Sequence, residues 1–350
     1  MAGPATRARI LALDDARWAA FVAEQPESTP FHHPAWATLL AATYGYRAFA
    51  VVAVDGHDRI VAGAPFLEAR GLSGRRRWLS LPFTDECRAL TSDPGGTSAL
   101  TTALAFAQEH LGAPEIEVRG PMHGLGWRTS ADAVIHDLAL EPDLERVRSG
   151  FSRSQVIRNI ARAEREGVVV RRASGAADLD AFYALHTRTR RRQGVPVQPR
   201  RFFDLLKARL IDPGTAFVLL ADGGGREAVA GALFLTFGGT TIYKFGASDR
   251  ESWPLRPNHL LFWTAVRDAC ARGDRRFDFG RTDIGNQGLR SFKSGWGAAE
   301  RPLVYSTLPR DAATETDGLV SRMMGVAIRR GPAWVCRGTG EALYRFAASR

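Results

Sequence analysis

AFAVVAVDGHDRIVAGAPFL (residues 48–67) and AFVLLADGGGREAVAGALFL (residues 216–235) are two copies of one pattern, and this pattern decides the fold. At an offset of 168 residues, ten of the twenty positions are identical without a gap. Each copy has an apolar run, a turn rich in Gly and Asp, and a second apolar run, which is typical of a β-hairpin. Because there are two copies far apart in the chain, the repeat predicts twin domains and not a solenoid.

The similarity continues beyond both hairpins in the order strand, helix, strand. These elements are predicted at 77–85, 97–112 and 115–120 after the first hairpin, and at 240–249, 258–273 and 276–281 after the second. Such an order predicts an α+β fold, an α/β sandwich in which each domain has a mixed, mostly antiparallel sheet flanked by helices. We predict two domains, at 1–145 and 146–310, and a C-terminal extension at 311–350.

Three further helices are predicted ahead of the second hairpin. The first covers residues 152–166, where Ser152 is the expected N-cap before an apolar pattern at helical spacing. The second covers 177–193 and ends at Gly194, a residue type that favours helix C-termini. The third covers 200–211 and stops before an Asp-Pro-Gly sequence.

Composition places the chain among ordinary globular proteins with a basic balance. Of its 350 residues, 45% are hydrophobic and 24% are charged, with a formal net charge of +10. No apolar run approaches the roughly 20 residues that span a bilayer, and the N-terminus has no apolar signal region, so we expect a cytoplasmic protein. The three cysteines lack metal spacing and are expected to be buried or incidental. No metal or cofactor is expected.

The basic charge is partly clustered. Four arginines (153, 158, 162 and 165) lie at helical spacing, and a second cluster reads TRTRRR at 187–192. A cluster of this kind attracts phosphate-bearing ligands or is a solvated face, and the Arg-rich, Lys-poor usage is also what a GC-rich genome produces.

FDFGRTDIGNQGLRSFKSGWG (residues 277–297) is the segment with the densest chemistry. It is predicted as a strand that runs into a glycine-punctuated loop, and loops at strand ends often carry function. Lys293 is one of three lysines beside 44 arginines. Lysine is a compact charge that Arg does not replace at a buried or reactive position, although a lysine on a solvated loop is the simpler explanation. The first domain has no counterpart of this segment, which favours a catalytic second half and a structural or acceptor-binding first half.

The order of several short sequences then resembles a known group. NIARAEREGV (159–168), DLDAFYALHTRTRRRQG (178–194), the second hairpin and the 277–297 segment are similar to GNAT-superfamily acyltransferases related to the FemABX aminoacyltransferases, which have tandem GNAT-like domains. The resemblance implies acyl transfer to a nucleophile, usually an amine. Aminoacyl-tRNA and acyl-CoA are the two donors used by proteins of this kind.

Two departures from the family pattern bear on the substrates. The turn that would bind the pyrophosphate of CoA through backbone N–H groups is SWPLRPNHLL (252–261), which has no glycine and two prolines. This favours aminoacyl-tRNA over acyl-CoA as the donor. The stretch after Trp36 is ATLLAAT and lacks the lysine that holds nucleotide-sugar phosphates in the peptidoglycan-type enzymes, which puts a UDP-linked acceptor in doubt.

The resemblance also implies roles for individual residues. Lys293 would stabilise the donor carbonyl or the terminal ribose or phosphate, and the hydroxyl of Tyr243 would donate to the oxyanion or leaving group. Phe292 and Trp296 would wall the acyl or adenine pocket, or else belong to the core. Arg281 and Asp283 would bind the acceptor, or else pair with each other.

Arg158 and Arg188 are candidate phosphate contacts, whereas His186 and His259 are expected to be packed or surface residues and not bases. The expected reaction moves an aminoacyl or acyl group to an amine of a small metabolite or cell-envelope precursor, by direct attack in a ternary complex. The alternatives are an acyl-CoA-dependent N-acyltransferase of polysaccharide or secondary-metabolite biosynthesis and, from another class, a non-catalytic binding module. The C-terminal extension is basic and amphipathic, and it either packs on the second domain or rests on an anionic membrane, which suits a lipid-linked amine acceptor.

Overall fold

Two α+β units make up the computed structural model, which describes residues 6–70, 74–93, 95–310, 328 and 336–340. One unit runs to Ala133 and resumes at Pro302, and the other runs from Val134 to Arg301. The linear division predicted at 145/146 therefore differs from the compact units, because the chain returns to the first unit near its end. Most of the predicted C-terminal extension lies outside the described residues.

The first unit contains most of the first copy of the repeat. Its elements are β1 (Arg7–Leu11), α1 (Ala16–Glu24), α2 (Pro34–Tyr44), β2 (Arg47–Val54), β3 (Ile60–Arg70), β4 (Arg76–Leu79), β5 (Leu90–Thr91), α3 (Gly96–His110) and β6 (Glu115–Val118). The predicted hairpin is β2–β3, an antiparallel pair in which Val51 lies opposite Ala64. The next strand, helix and strand follow in the predicted order, and β4 pairs with β6 in parallel.

The second unit repeats this plan. Its elements are β7 (Arg128–Ala139), which begins in the first unit, α4 (Leu144–Ser149), α5 (Arg158–Arg165), β8 (Val169–Arg172), α6 (Gly175–Gln193), α7 (Arg200–Leu206), β9 (Ala216–Gly223), β10 (Arg226–Phe237), β11 (Thr240–Ser248), α8 (Pro257–Ala271), β12 (Arg276–Asp283), α9 (Gln287–Ser294) and β13 (Ala299–Leu308). The strand order is β7-β12-β11-β10-β9-β8. The end of β13 belongs to the first unit, where Ser306 pairs with Val118 of β6.

The predicted helix boundaries agree closely with the structure. Ser152 accepts a hydrogen bond from the backbone N–H of Gln155 and begins a π-helical turn that leads into α5. Gly194 ends α6 in the left-handed conformation at φ 74°, which a glycine adopts without steric cost. The three cysteines are free and buried. The α+β prediction of a mixed sheet flanked by helices is confirmed.

The loop predicted within 277–297 is wrong in part. Residues 287–294 form the helix α9, which therefore carries both Phe292 and Lys293. Asn286 caps this helix by accepting a hydrogen bond from the N–H of Leu289 at 3.1 Å. The glycines at 285 and 288 suggested an irregular loop, but the cap and the packing of the helix outweigh the cost of one internal glycine, about 1 kcal/mol.

An aromatic core lies between α8 and the sheet of the second unit. Phe217, Phe234 and Tyr243 form a row across β9, β10 and β11, with ring centroids 5.2 and 5.9 Å apart. Phe262 of α8 packs against Tyr243 at 4.7 Å. Burial of large aromatic side chains of this kind contributes on the order of 2–3 kcal/mol each, so this row fixes the position of β11.

Candidate acyl-transfer site in the second unit

The parallel strands β11 and β12 pair over three residues and then stop pairing. The last pair is Ile242 and Asp278, so neither the rest of β11 nor the rest of β12 has the other as a partner. Tyr243 is the first residue of β11 beyond this point. An interruption between two central parallel strands leaves backbone groups and side chains free to face a ligand, as at the switch points of other open sheets.

Tyr243 brings a hydroxyl to this opening. Its ring is half-buried against Phe234 and Phe262, and the hydroxyl makes no hydrogen bond to any described residue. Burial raises the pKa of Tyr243 to about 12, so the group is protonated at neutral pH and can donate a hydrogen bond. A glycine is required at position 246, because a Cβ there would lie 1.9 Å from the Tyr243 hydroxyl oxygen.

Lys293 is buried, with 3% of its surface exposed. Its Nζ donates to the carbonyl oxygens of Gly280 at 2.6 Å and Arg281 at 3.1 Å. Gly280 has a φ of 74°, so β12 bends where the lysine binds it. In the described structure Lys293 therefore ties α9 to the end of β12, and it is not a lysine on a solvated loop.

Arg281 and Asp283, at the end of β12, pair with each other. Their side chains are 2.8 Å apart and both are exposed to a large degree. An exposed pair of this kind contributes little to stability, about 0–1 kcal/mol, so a ligand can compete for either group at small cost.

Phe292 and Trp296 belong to the apolar core beside the opening. Trp296 is fully buried and its ring lies 5.1 Å from that of Phe151. Phe292 is half-buried and contacts Phe262 at 5.7 Å, which connects it to Tyr243 through that ring. Of these two residues, Phe292 alone has exposed surface with which it could wall a ligand pocket.

The two histidines noted in the sequence are packed, as expected. Burial lowers the pKa of His186 to about 3, and burial together with the charge of Arg256 lowers the pKa of His259 to about 4. Both are therefore neutral at pH 7. Burial, followed by the nearby charge of Lys293, also lowers the pKa of His136, a fully buried residue of β7 that the sequence analysis did not single out.

Arg158 and Arg188 are exposed, on α5 and α6, and neither forms an ion pair with a described residue. The structure does not bring them into contact with Tyr243 or Lys293. Arg188 is one turn from Arg192 on α6, and residues four apart share a helix face. The guanidinium carbon of Arg192 lies 5.4 Å from the ring centroid of Trp253.

The turn between β11 and α8 carries cationic side chains that the sequence analysis missed. Arg250 also lies over Trp253, at 5.9 Å, and Trp253 is 43% exposed. Arg256 is exposed in the left-handed conformation at φ 60°, directly before Pro257 at the first position of α8. A non-glycine residue at positive φ is uncommon and marks a constrained turn. In the sequence, the alternation of Arg, Trp and Pro in RESWPLRP (250–257) is the pattern that could have indicated this cationic turn.

Comparison with known proteins agrees with this geometry. Residues 150–294 match the family model described as an acetyltransferase (GNAT) domain. A segment of 75 residues is 35% identical to the lipid II:glycine glycyltransferase of Staphylococcus aureus, and it covers 20% of this chain and 18% of that protein. The matched segment thus spans less than a fifth of the relative's length.

Two solved structures share the fold over nearly the whole chain. FemX superposes with a TM-score of 0.70 at 16% identity, covering 86% of this chain and 97% of that chain. L-PGS from Bacillus licheniformis superposes with a TM-score of 0.54 at 13% identity, covering 91% and 97%. The second unit therefore matches an acetyltransferase (GNAT) domain over residues 150–294, and the chain shares the fold of FemX. Over these regions the chain is similar to FemABX-related proteins of the GNAT superfamily.

Proposed function

We propose that this chain is an acyltransferase that moves an aminoacyl group from aminoacyl-tRNA to an amine of a small metabolite or cell-envelope precursor. The observation that carries the proposal is the protonated Tyr243 hydroxyl, without a described hydrogen-bond partner, beside the point where β11 and β12 stop pairing. The amine attacks the donor ester directly in a ternary complex, the C–N bond forms, and the terminal ribose oxygen leaves as the C–O bond breaks and takes up the proton that the amine loses. The Tyr243 hydroxyl donates to the oxyanion or to the leaving oxygen.

The turn before α8 supports a tRNA donor. Pro254 and Pro257 have no backbone N–H to offer a pyrophosphate, whereas Arg192 and Arg250 hold guanidinium groups over an exposed tryptophan. Arg256 is exposed in the same turn. Arginine beside an exposed aromatic ring suits a single-stranded nucleic acid end, because bases stack on the ring and phosphates bind the cations. Arg158 and Arg188 would extend this cationic surface along the acceptor arm.

Within this proposal, Lys293 supports the reacting centre and Phe292 walls the acyl pocket. Lys293 fixes the end of β12, from which Arg281 and Asp283 would bind the acceptor. For its ammonium to contact the aminoacyl donor directly, Lys293 must give up its hydrogen bond to one of the two backbone carbonyls and donate to an oxygen of the substrate.

A donor panel tests the proposal. The full chain is incubated with labelled aminoacyl-tRNA or labelled acetyl-CoA, together with small-molecule and lipid fractions of a bacterial extract as acceptors. We expect label to move from aminoacyl-tRNA to an amine, and the product to be stable to mild base, as an amide is and an ester is not. Transfer from acetyl-CoA alone would show that the donor is acyl-CoA and not aminoacyl-tRNA. The match to an acetyltransferase domain favours this alternative. Transfer from neither donor would contradict the proposal.

We also propose peripheral membrane contact through residues 318–350, which would suit a lipid-linked acceptor. Most of this segment lies outside the described residues, and of its described part Cys336 is buried beside the carbonyl of Val195. No helix among the described residues is long and apolar enough to cross a membrane. Flotation with anionic vesicles, with and without residues 318–350, tests the contact. Equal flotation of both forms would contradict membrane contact through this segment.

A further inference from the structure

A cavity of about 410 Å³ lies at the beginning of β9 in the second unit, apart from the opening between β11 and β12. Its walls come from the end of β8, the start of α6, the turn after α7, the strands β9 and β10, and the end of α8. Three cations line it, Arg172, Lys207 and Arg272. Asp212 is the one acidic residue among the described residues that line it.

Two guanidinium groups converge on one ring of this cavity. The Cζ atom of Arg172 lies 4.5 Å from the ring centroid of Phe217, and that of Arg272 lies 5.2 Å from the same centroid. Arg272 also donates to Asp274 at 2.9 Å, but Arg172 has no carboxylate partner among the described residues. An anion bound at this ring gives Arg172 a counter-charge.

The charge of the lining fits an anion. Lys207 pairs with Asp212 at 2.7 Å and Arg272 pairs with Asp274 at 2.9 Å, so Arg172 is the lining cation without a carboxylate partner among the described residues. A phosphate monoester carries about −1.5 to −2 at pH 7, and the planar fork of Arg binds its oxygens in pairs. Apolar side chains complete the lining: Leu179, Ile211, Ala216, Phe217 and Val218.

The cavity is separate from the cationic turn that precedes α8. Arg272 is the residue that ends α8, whereas Arg256 and the cationic turn precede the first residue of that helix. A helix of 15 residues is about 22 Å long, so a small ligand cannot reach both ends.

We propose that this cavity binds a small phosphate monoester, with the phosphate between Arg172 and Arg272 and a short organic body on the apolar wall. The volume is within the range of about 300–1,000 Å³ that is usual for small-molecule sites. The site does not depend on the donor or acceptor of acyl transfer, and its test needs no activity measurement.

Isothermal titration calorimetry of the full chain with glycerol 3-phosphate, inorganic phosphate and diethyl phosphate tests the site. We expect saturable binding of glycerol 3-phosphate and inorganic phosphate at one site, and at least tenfold weaker binding of the monoanionic diester. Absence of saturable binding of the monoester, or equal affinity for the diester, would overturn the proposal.

A pair of matched variants locates the binding. Arg172→Gln removes an exposed guanidinium without breaking an ion pair, so the fold is retained and the affinity for glycerol 3-phosphate falls about tenfold or more. Arg165→Gln removes an equally exposed arginine at the end of α5, and the affinity stays at the wild-type value. Unchanged affinity in Arg172→Gln, or an equal loss in both variants, would exclude the cavity as the site.

Discussion

Replacement of Lys293 by Met tests the role of the lysine as a buried anchor. Methionine keeps the length and the apolar stem of the side chain but removes the ammonium that binds the carbonyls of Gly280 and Arg281. A hydrogen bond to a charged group contributes about 1.5–3 kcal/mol, and two such bonds are lost in this variant. We therefore expect the free energy of unfolding to fall by about 3–5 kcal/mol. For a unit of this size the Tm then falls on the order of 10 °C.

Thermal and guanidinium unfolding, followed by circular dichroism, measure this loss. Lys207→Met is the control, because Lys207 pairs with Asp212 at the surface and such a pair contributes about 0–1 kcal/mol. A Tm of Lys293→Met within 2 °C of the wild-type value would correspond to a loss of about 1 kcal/mol or less. That result would refute the claim that Lys293 anchors α9 to β12. Acyl transfer is then measured at a temperature where the variant is folded. We expect transfer to be lost, and full activity would remove Lys293 from the mechanism.

Three further predictions concern the opening, the buried histidines and the tRNA surface. Gly246→Ala places a Cβ where the Tyr243 hydroxyl lies, so we expect the rate of transfer to fall at least tenfold and the Tm to fall as well. Tyr243→Phe removes the clashing hydroxyl, so the double variant should lose less stability than the sum of the two single variants, which a double-mutant cycle in Tm measures. His186 has a pKa of about 3 in the folded protein and about 6.5 in the unfolded chain, so its contribution to stability is present above pH 6.5 and is lost as the pH falls. The free energy of unfolding should therefore be about 2 kcal/mol lower at pH 5 than at pH 6.5 because of this group, and His186→Gln should reduce that difference. Arg158→Ala and Arg188→Ala should each weaken tRNA binding and lower the slope of log affinity against log salt by about 1, whereas an unchanged slope would place them outside the interface.

The repeated part of the fold was predictable because its signals are local. Each hairpin shows an apolar run, a Gly/Asp turn and a second run, and Gly194 ends α6 as its position suggested. The return of β13 to β6 was not predictable in this way, because Ser306 and Val118 are far apart in the chain and no local pattern records their pairing. The same holds for Arg172 and Arg272, which meet at Phe217 through tertiary packing.

The candidate site was predictable in place but not in detail. Tyr243 was selected from its expected strand, and it does lie where β11 and β12 stop pairing. The helix α9 was missed because its glycines resemble those of a loop, whereas its stability depends on the Asn286 cap and the buried Lys293. Arg256 was missed because only the backbone shows that the chain turns left-handed there.

The most direct test of the central claim is the single-turnover rate of aminoacyl transfer by Tyr243→Phe. Loss of one oxyanion donor costs about 10²–10³ in rate, so we predict a fall of at least about 10² with little change in Tm, because the hydroxyl has no hydrogen-bond partner among the described residues. Tyr183→Phe, on α6, is the control and should transfer at the wild-type rate. A wild-type rate in Tyr243→Phe would contradict the claim that the reaction occurs at the opening between β11 and β12.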